Sequence, residues 1–161
     1  MNADLHRAIR ATWVAAGLDW EFQQRRDAAD RTQTALHDGE APPAEKLPYC
    51  IFEVMPGTTI NRHTGHSIHE QHEIRDVPVE FHIHANTRRG GASPKATAVT
   101  LADAVMQKFG GHPTVRPAAI SLANGKHLLT QYQNDYGIKS GEEEYEWRIS
   151  YVFRLDVPVA K

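Results

Sequence analysis

The sequence predicts an α+β domain: an antiparallel sheet of about four main strands with helices packed on one face. Three observations carry this. The segment Tyr145, Trp147, Ile149, Tyr151, Phe153, Leu155, Val157, Val159 is aromatic or aliphatic at every odd position, and its even positions are polar except Val152 and Pro158. A period of two sustained this long predicts one strand with a core face and a wet face. Val77, Val79, Phe81, Ile83 and Ala85 repeat the pattern. Between these strands, Ser93-Pro94 and Gly110-Gly111 bracket a run with apolar residues at helical spacing.

The elements follow in order. Residues 2–17 predict a helix capped by Asn2 or Asp4, with Leu5, Ile9, Trp13 and Ala16 as its stripe and Gly17 as its stop. From Glu21 to Leu36 good helix formers meet few apolar residues, so residues 18–46 read as an uncertain helical or loop insertion, and Asp38 to Pro43 as a loop. Tyr49 to Met55 is nearly continuously apolar and predicts a strand buried on both faces. Pro56-Gly57 marks a turn, and Thr64-Gly65 a hairpin tip in the β-prone stretch Thr58 to Ile74. Pro78 lacks an N–H, which places its part of the second strand at an edge or beside a bulge. The bracketed helix presents Ala98, Leu101, Ala102, Val105 and Phe109 on one face. Residues 126–138 predict a strand with Leu128, Tyr132 and Tyr136 in phase, turned by Lys139-Ser140-Gly141 into the long final strand.

Composition bounds the function. The 161 residues suit one domain; hydrophobic content is 40% and charged content 24%. No apolar run approaches a membrane helix, and the start Met-Asn-Ala-Asp-Leu-His does not predict a secretory signal. The single cysteine, Cys50, lies among apolar residues and reads as a buried structural thiol, consistent with a reducing site of synthesis. Net charge is −2 with neutral histidines, and the basic residues form pairs rather than clusters, so sequence-specific DNA binding is not predicted.

Ten histidines raise the question of metal. His63, His66, His69 and His72 recur every third residue, and His82 and His84 follow on one strand face. A His-x-His pair projects two imidazoles the same way. A spacing of three, however, alternates across a strand, so His63 and His69 are expected to point away from His66 and His72. Solvated histidines able to make an interface pH-sensitive are the plainer expectation; His82, His84, His66 and His72 are the candidates should a metal bind, and no metal or cofactor is expected. No serine sits in a Gly-x-Ser-x-Gly turn, neither glycine pair belongs to a phosphate loop, and Glu142-Glu143-Glu144 reads as a solvated turn. No catalytic residue is predicted.

The pattern Leu47-Pro-Tyr-Cys-Ile-Phe-Glu-Val54 ending at Pro-Gly-Thr, the strand Val77-Pro-Val-Glu-Phe-His-Ile-His-Ala85, the helix from Ala96 to Met106 and the alternating strand Tyr145 to Val157 together resemble the tail-terminator or tail-completion proteins of long-tailed bacteriophages. The resemblance covers residues 2–17 and 47–157. It implies a non-enzymatic virion protein, assembled in the host cytoplasm, that forms a ring, commonly a hexamer, at the head-proximal end of the tail tube. Its partners would be other copies of itself, the tail tube protein, a head-completion or neck protein, and DNA passing through the channel without sequence-specific binding; no membrane is implied. Candidate contact residues are Arg88 and Arg89 in a glycine-flanked loop, and Glu146, Arg148 and Arg154 on the wet face of the final strand. The alternatives are another head–tail connector or neck subunit and, in a different class, a metal-dependent enzyme or small-molecule binder built on His82, His84 and part of the His63–His72 series.

Overall fold

The computed structural model describes residues 2–31, 34–65, 70–86, 92–117 and 119–159. Its elements run α1 (Asn2–Ala15), α2 (Leu18–Gln23), a 3-10 turn (Ala28–Asp30), β1 (Leu36–Asp38), β2 (Tyr49–Val54), β3 (Thr58–Thr64), β4 (Gln71–Asn86), α3 (Pro94–Phe109), β5 (Lys126–Lys139) and β6 (Glu144–Pro158). The α+β class stands, but the sheet has six strands among the described residues, in the order β1-β2-β4-β6-β5 with β3 also on β4. All pairings are antiparallel except the short parallel β1–β2 pair. No helix among the described residues is long and apolar enough to cross a membrane.

β4 and β6 form the spine, in register from His72↔Pro158 to Asn86↔Glu144. Their odd positions meet the helices: Val77, Val79, Phe81, Ile83, Ile149, Tyr151, Phe153 and Leu155 are buried. Phe81 is the hub, touching Trp13, Phe52, Phe109 and Tyr151 with ring centroids 4.8–6.4 Å apart. α3 seals this face with the predicted stripe, Ala98, Leu101, Ala102, Val105 and Phe109, all buried. Ser93 Oγ accepts the Ala96 N–H at 3.1 Å. This cap satisfies a helix-end donor that would otherwise lack a partner.

Residues 18–46 depart from the expectation of a weak helix or loop insertion. Gly17, at φ +69°, turns the chain from α1 into α2, and Leu18, Phe22, Ala35 and Leu36 join the core. Asp19 binds the pieces together. Its Oδ1 accepts from Trp13 Nε1 and Ala35 N, both at 2.8 Å. Sparse apolar residues suffice here because Leu18, Phe22, Ala35 and Leu36 are fully buried, while Trp20 stays exposed. The guanidinium of Arg26, beneath the following loop, donates to the Pro48 carbonyl at 2.8 Å and pairs with Glu45 at 2.9 Å.

Three strand expectations need correction. β2 is buried on one face only: Cys50 and Phe52 are covered, whereas Tyr49, Ile51 and Glu53 are half-exposed on the face away from the helices. Pro78 lies in a central strand rather than at an edge. Its carbonyl accepts the Met55 N–H at 2.9 Å, so its own nitrogen faces the gap where β2 hands over to β3, and no ladder bond is lost. Leu128, Tyr132 and Tyr136 do not share a phase. Register shifts between His127/Leu129 and Tyr132/Asn134 rotate the pleat. Tyr132 meets Tyr151 on the core side, while Leu128 and Tyr136 are exposed.

Candidate assembly face and histidine clusters

The face of the sheet away from the helices carries a polar ladder set by register. Ile51, His82, Arg148 and Tyr136 form one row across β2, β4, β6 and β5; Glu53, Glu80, Ser150 and Asn134 form the next. Asp76, Arg154 and Leu129 form a third row across β4, β6 and β5.

The charges in this ladder are paired across and along strands. Arg154 donates to both carboxylate oxygens of Asp76, at 2.8 and 2.9 Å. The bond to Asp76 raises the Arg154 guanidinium above its ordinary value. Arg148 Nε donates to Glu146 at 2.7 Å, which has the same effect on Arg148. Glu146 itself is 8% exposed and also lies 3.4 Å from His82 Nδ1. Of the predicted contact residues on this strand, Arg148 and Arg154 remain half-exposed, and Glu146 is an internal strut. The even position of Glu146 turns it away from the core and so predicts a surface acid, but cross-strand neighbours cover it. Arg88 and Arg89 lie outside the described residues.

β5 borders the ladder, with no strand on its outer side among the described residues. Its apolar side chains on this face are Leu129, Tyr136 and Ile138, 42%, 44% and 38% exposed. On the core side, Asp135 accepts from Trp147 Nε1 at 2.8 Å and from the Tyr132 hydroxyl. Burial first, then Asp135, pushes the Tyr132 phenol up to about 12.

The histidines sort differently from the sequence expectation. His82 and His84 do share a face, but they do not converge. His82 Nε2 is 3.0 Å from Glu80, and His84 stacks on Tyr49 at 4.9 Å, where burial holds its pKa down. His82 instead groups with Glu53 and Glu80. His63 and His72 are brought together: they are directly paired across the β3–β4 hairpin, with ring centroids 5.4 Å apart, and both approach Asp156 of β6. Alternation would oppose them only within one continuous strand. A hairpin between them reverses the chain and puts the two rings on one face. His66 and His69 lie outside the described residues. Cys50 is buried in the core, and burial pushes its thiol well up, away from reactivity.

No family model matches the chain, and no curated protein matches it. Among solved structures, a chain described as the virion of a native gene transfer agent particle is similar at 16% identity over 88% of this chain and 93% of that one, with a TM-score of 0.42. A likeness of that degree decides nothing about function.

Proposed function

We propose that this protein is a structural virion component that closes the phage tail tube as a ring, ends tube polymerisation and presents a surface to the head-completion or neck proteins. The reading joins the sequence resemblance to one structural observation: β5, a 14-residue strand with no strand on its outer edge among the described residues, and exposed Leu129, Tyr136 and Ile138 beside it. Unpaired backbone N–H and C=O groups along such an edge are a template for another chain. With apolar side chains alongside, the occupant is a second copy of this protein, joined head to tail so that the contact repeats around a ring. Half-exposed Arg148 and Arg154 border that edge, and the net charge of −2 lets DNA pass without tight binding. The protein acts by assembly, not catalysis.

The test measures mass by light scattering, and shape by electron microscopy, for the protein alone and with tail tube subunits. A ring is expected, and Leu129→Asp with Tyr136→Asp should leave folded monomers that no longer stop tube growth. Charge reversal at Arg154 alone is a poor probe, because it would set two acids against each other at Asp76; the swap Arg154→Asp with Asp76→Arg keeps the pair and alters the surface. A wild-type protein that stays monomeric beside tail tubes and leaves their growth unchanged would sink the proposal. A ring that binds neck protein but not tube would move the chain to another connector position.

A further inference from the structure

We propose that His63, His72 and Asp156 form a binding site for a divalent transition-metal ion of the zinc type, tying the β3–β4 hairpin to the end of β6. His63 Nε2 lies 3.2 Å and His72 Nδ1 3.0 Å from the same oxygen, Asp156 Oδ1. Two ligands held about 2.0–2.1 Å from a tetrahedral ion are about 3.3 Å apart, so both separations already match a shared metal. All three ligand atoms lie within 4.8 Å of one another. His63, whose side chain is 38% exposed, has room to rotate and close the remaining gap between the two imidazoles.

His63 Nδ1, the ring nitrogen away from Asp156, is 3.3 Å from the Thr64 carbonyl oxygen. A backbone carbonyl holding the far nitrogen is the usual support of a metal-bound histidine.

The surroundings leave space for the ion. The three residues line a recess of about 460 Å³ with Glu70, Gly65, Gly125 and Lys126. A Cβ on Gly65 would stand 3.0 Å from His72 Nε2 and 3.1 Å from a Glu70 carboxylate oxygen, so Gly65 keeps this end open. The charged neighbours are Glu70, which adds negative charge to the recess, and Lys126, whose backbone pairs with that of Asp156 across β5 and β6. Imidazole nitrogen with carboxylate oxygen favours zinc, nickel or cobalt over magnesium or calcium.

The test titrates full-length protein, stripped with chelator, with Zn²⁺ alone by calorimetry and with Co²⁺ by visible absorption. One ion per chain is expected, with a Co²⁺ spectrum of low coordination number and a Zn²⁺-dependent rise in thermal midpoint. His63→Ala and His72→Ala should each weaken Zn²⁺ by roughly tenfold or more. His82→Ala with His84→Ala should leave the affinity unchanged. Matching circular dichroism and thermal midpoints in chelator distinguish ligand loss from misfolding. Because His63 is exposed, His63→Gln serves as the variant least able to disturb the fold. Wild-type protein that takes up no zinc, or a His63→Ala/His72→Ala variant that binds it as wild type does, would overturn the proposal.

Discussion

Replacing Arg26 with methionine tests whether the segment before β2 is fastened by a buried ion pair. The Arg26 side chain is wholly covered and that of Glu45 is 5% exposed, with 2.9 Å between Nη1 and Oε1. Arg26 also donates twice to the Pro48 carbonyl, at 3.1 and 2.8 Å, and His37 Nε2 stands 2.6 Å from the other Glu45 oxygen. Burial pulls the guanidinium below its ordinary value and Glu45 opposes that pull, but Arg26 stays charged. Removing one partner of such a pair leaves the other charge buried and costs about 3–5 kcal/mol. For a domain of this size that is a fall of about 6–20 °C in thermal midpoint. Replacing both residues, Arg26→Met with Glu45→Met, removes the stranded carboxylate and should recover most of the loss. About 1–3 kcal/mol should remain, because the Pro48 carbonyl loses its donors. Urea unfolding of the wild type, both single variants and the double variant closes the cycle, with an unchanged denaturant slope confirming the same transition. A single-variant cost under about 1 kcal/mol, or a coupling energy near zero, would mean that this pair does not hold the segment in place.

Other perturbations follow from the same structure. His127 Nδ1 accepts the Ile120 N–H at 3.2 Å, so Nε2 carries the proton that goes to Thr130 Oγ1 at 2.8 Å, and burial holds the ring's pKa below its ordinary value. The unfolded chain therefore takes up this proton first: His127 leaves stability intact above about pH 6.5 and erodes it as pH falls through that value toward the folded one. His127→Gln, whose amide can both accept and donate, should show a smaller drop in urea midpoint between pH 7.5 and 5; an unchanged drop would clear His127 of the effect. Gly137→Ala should cost about 1–3 kcal/mol by overpacking, because its Cβ would meet Tyr145 at 2.4 Å and Trp147 at 2.6 Å. Gly141→Ala, whose nearest contact is 3.6 Å, should stay within about 0.5 kcal/mol, and equal effects at the two sites would contradict the packing described for β5 and β6.

Much of the architecture is legible in the sequence. The long alternations predict β4 and β6, and both exist, each running beyond or beside its predicted bounds. Ser93, Pro94 and Gly110 delimit α3 within a residue. These succeed because period-two burial and helix capping are local in sequence. The misses share one cause. β1 is three residues long and carries no period of its own; it exists because β2 offers it a parallel partner. Two register shifts in β5 undo the phase of Tyr132 and Tyr136, and no residue type there announces them. His63 and His72 look opposed along the chain until the hairpin folds them together.

Which residues of the two long strands and the main helix face the core, where that helix begins and ends, and the lack of a familiar catalytic motif are all written in the chain, because those properties depend on neighbours a few positions away. Distant partners had to be folded into place for the rest. Glu146 becomes an internal strut and Arg154 the partner of Asp76, β5 takes the border of the sheet among the described residues, and Asp156 stands beside two histidines more than eighty residues earlier in the chain. Cross-strand register makes those choices, and register is settled by the packing of the whole sheet against its helices.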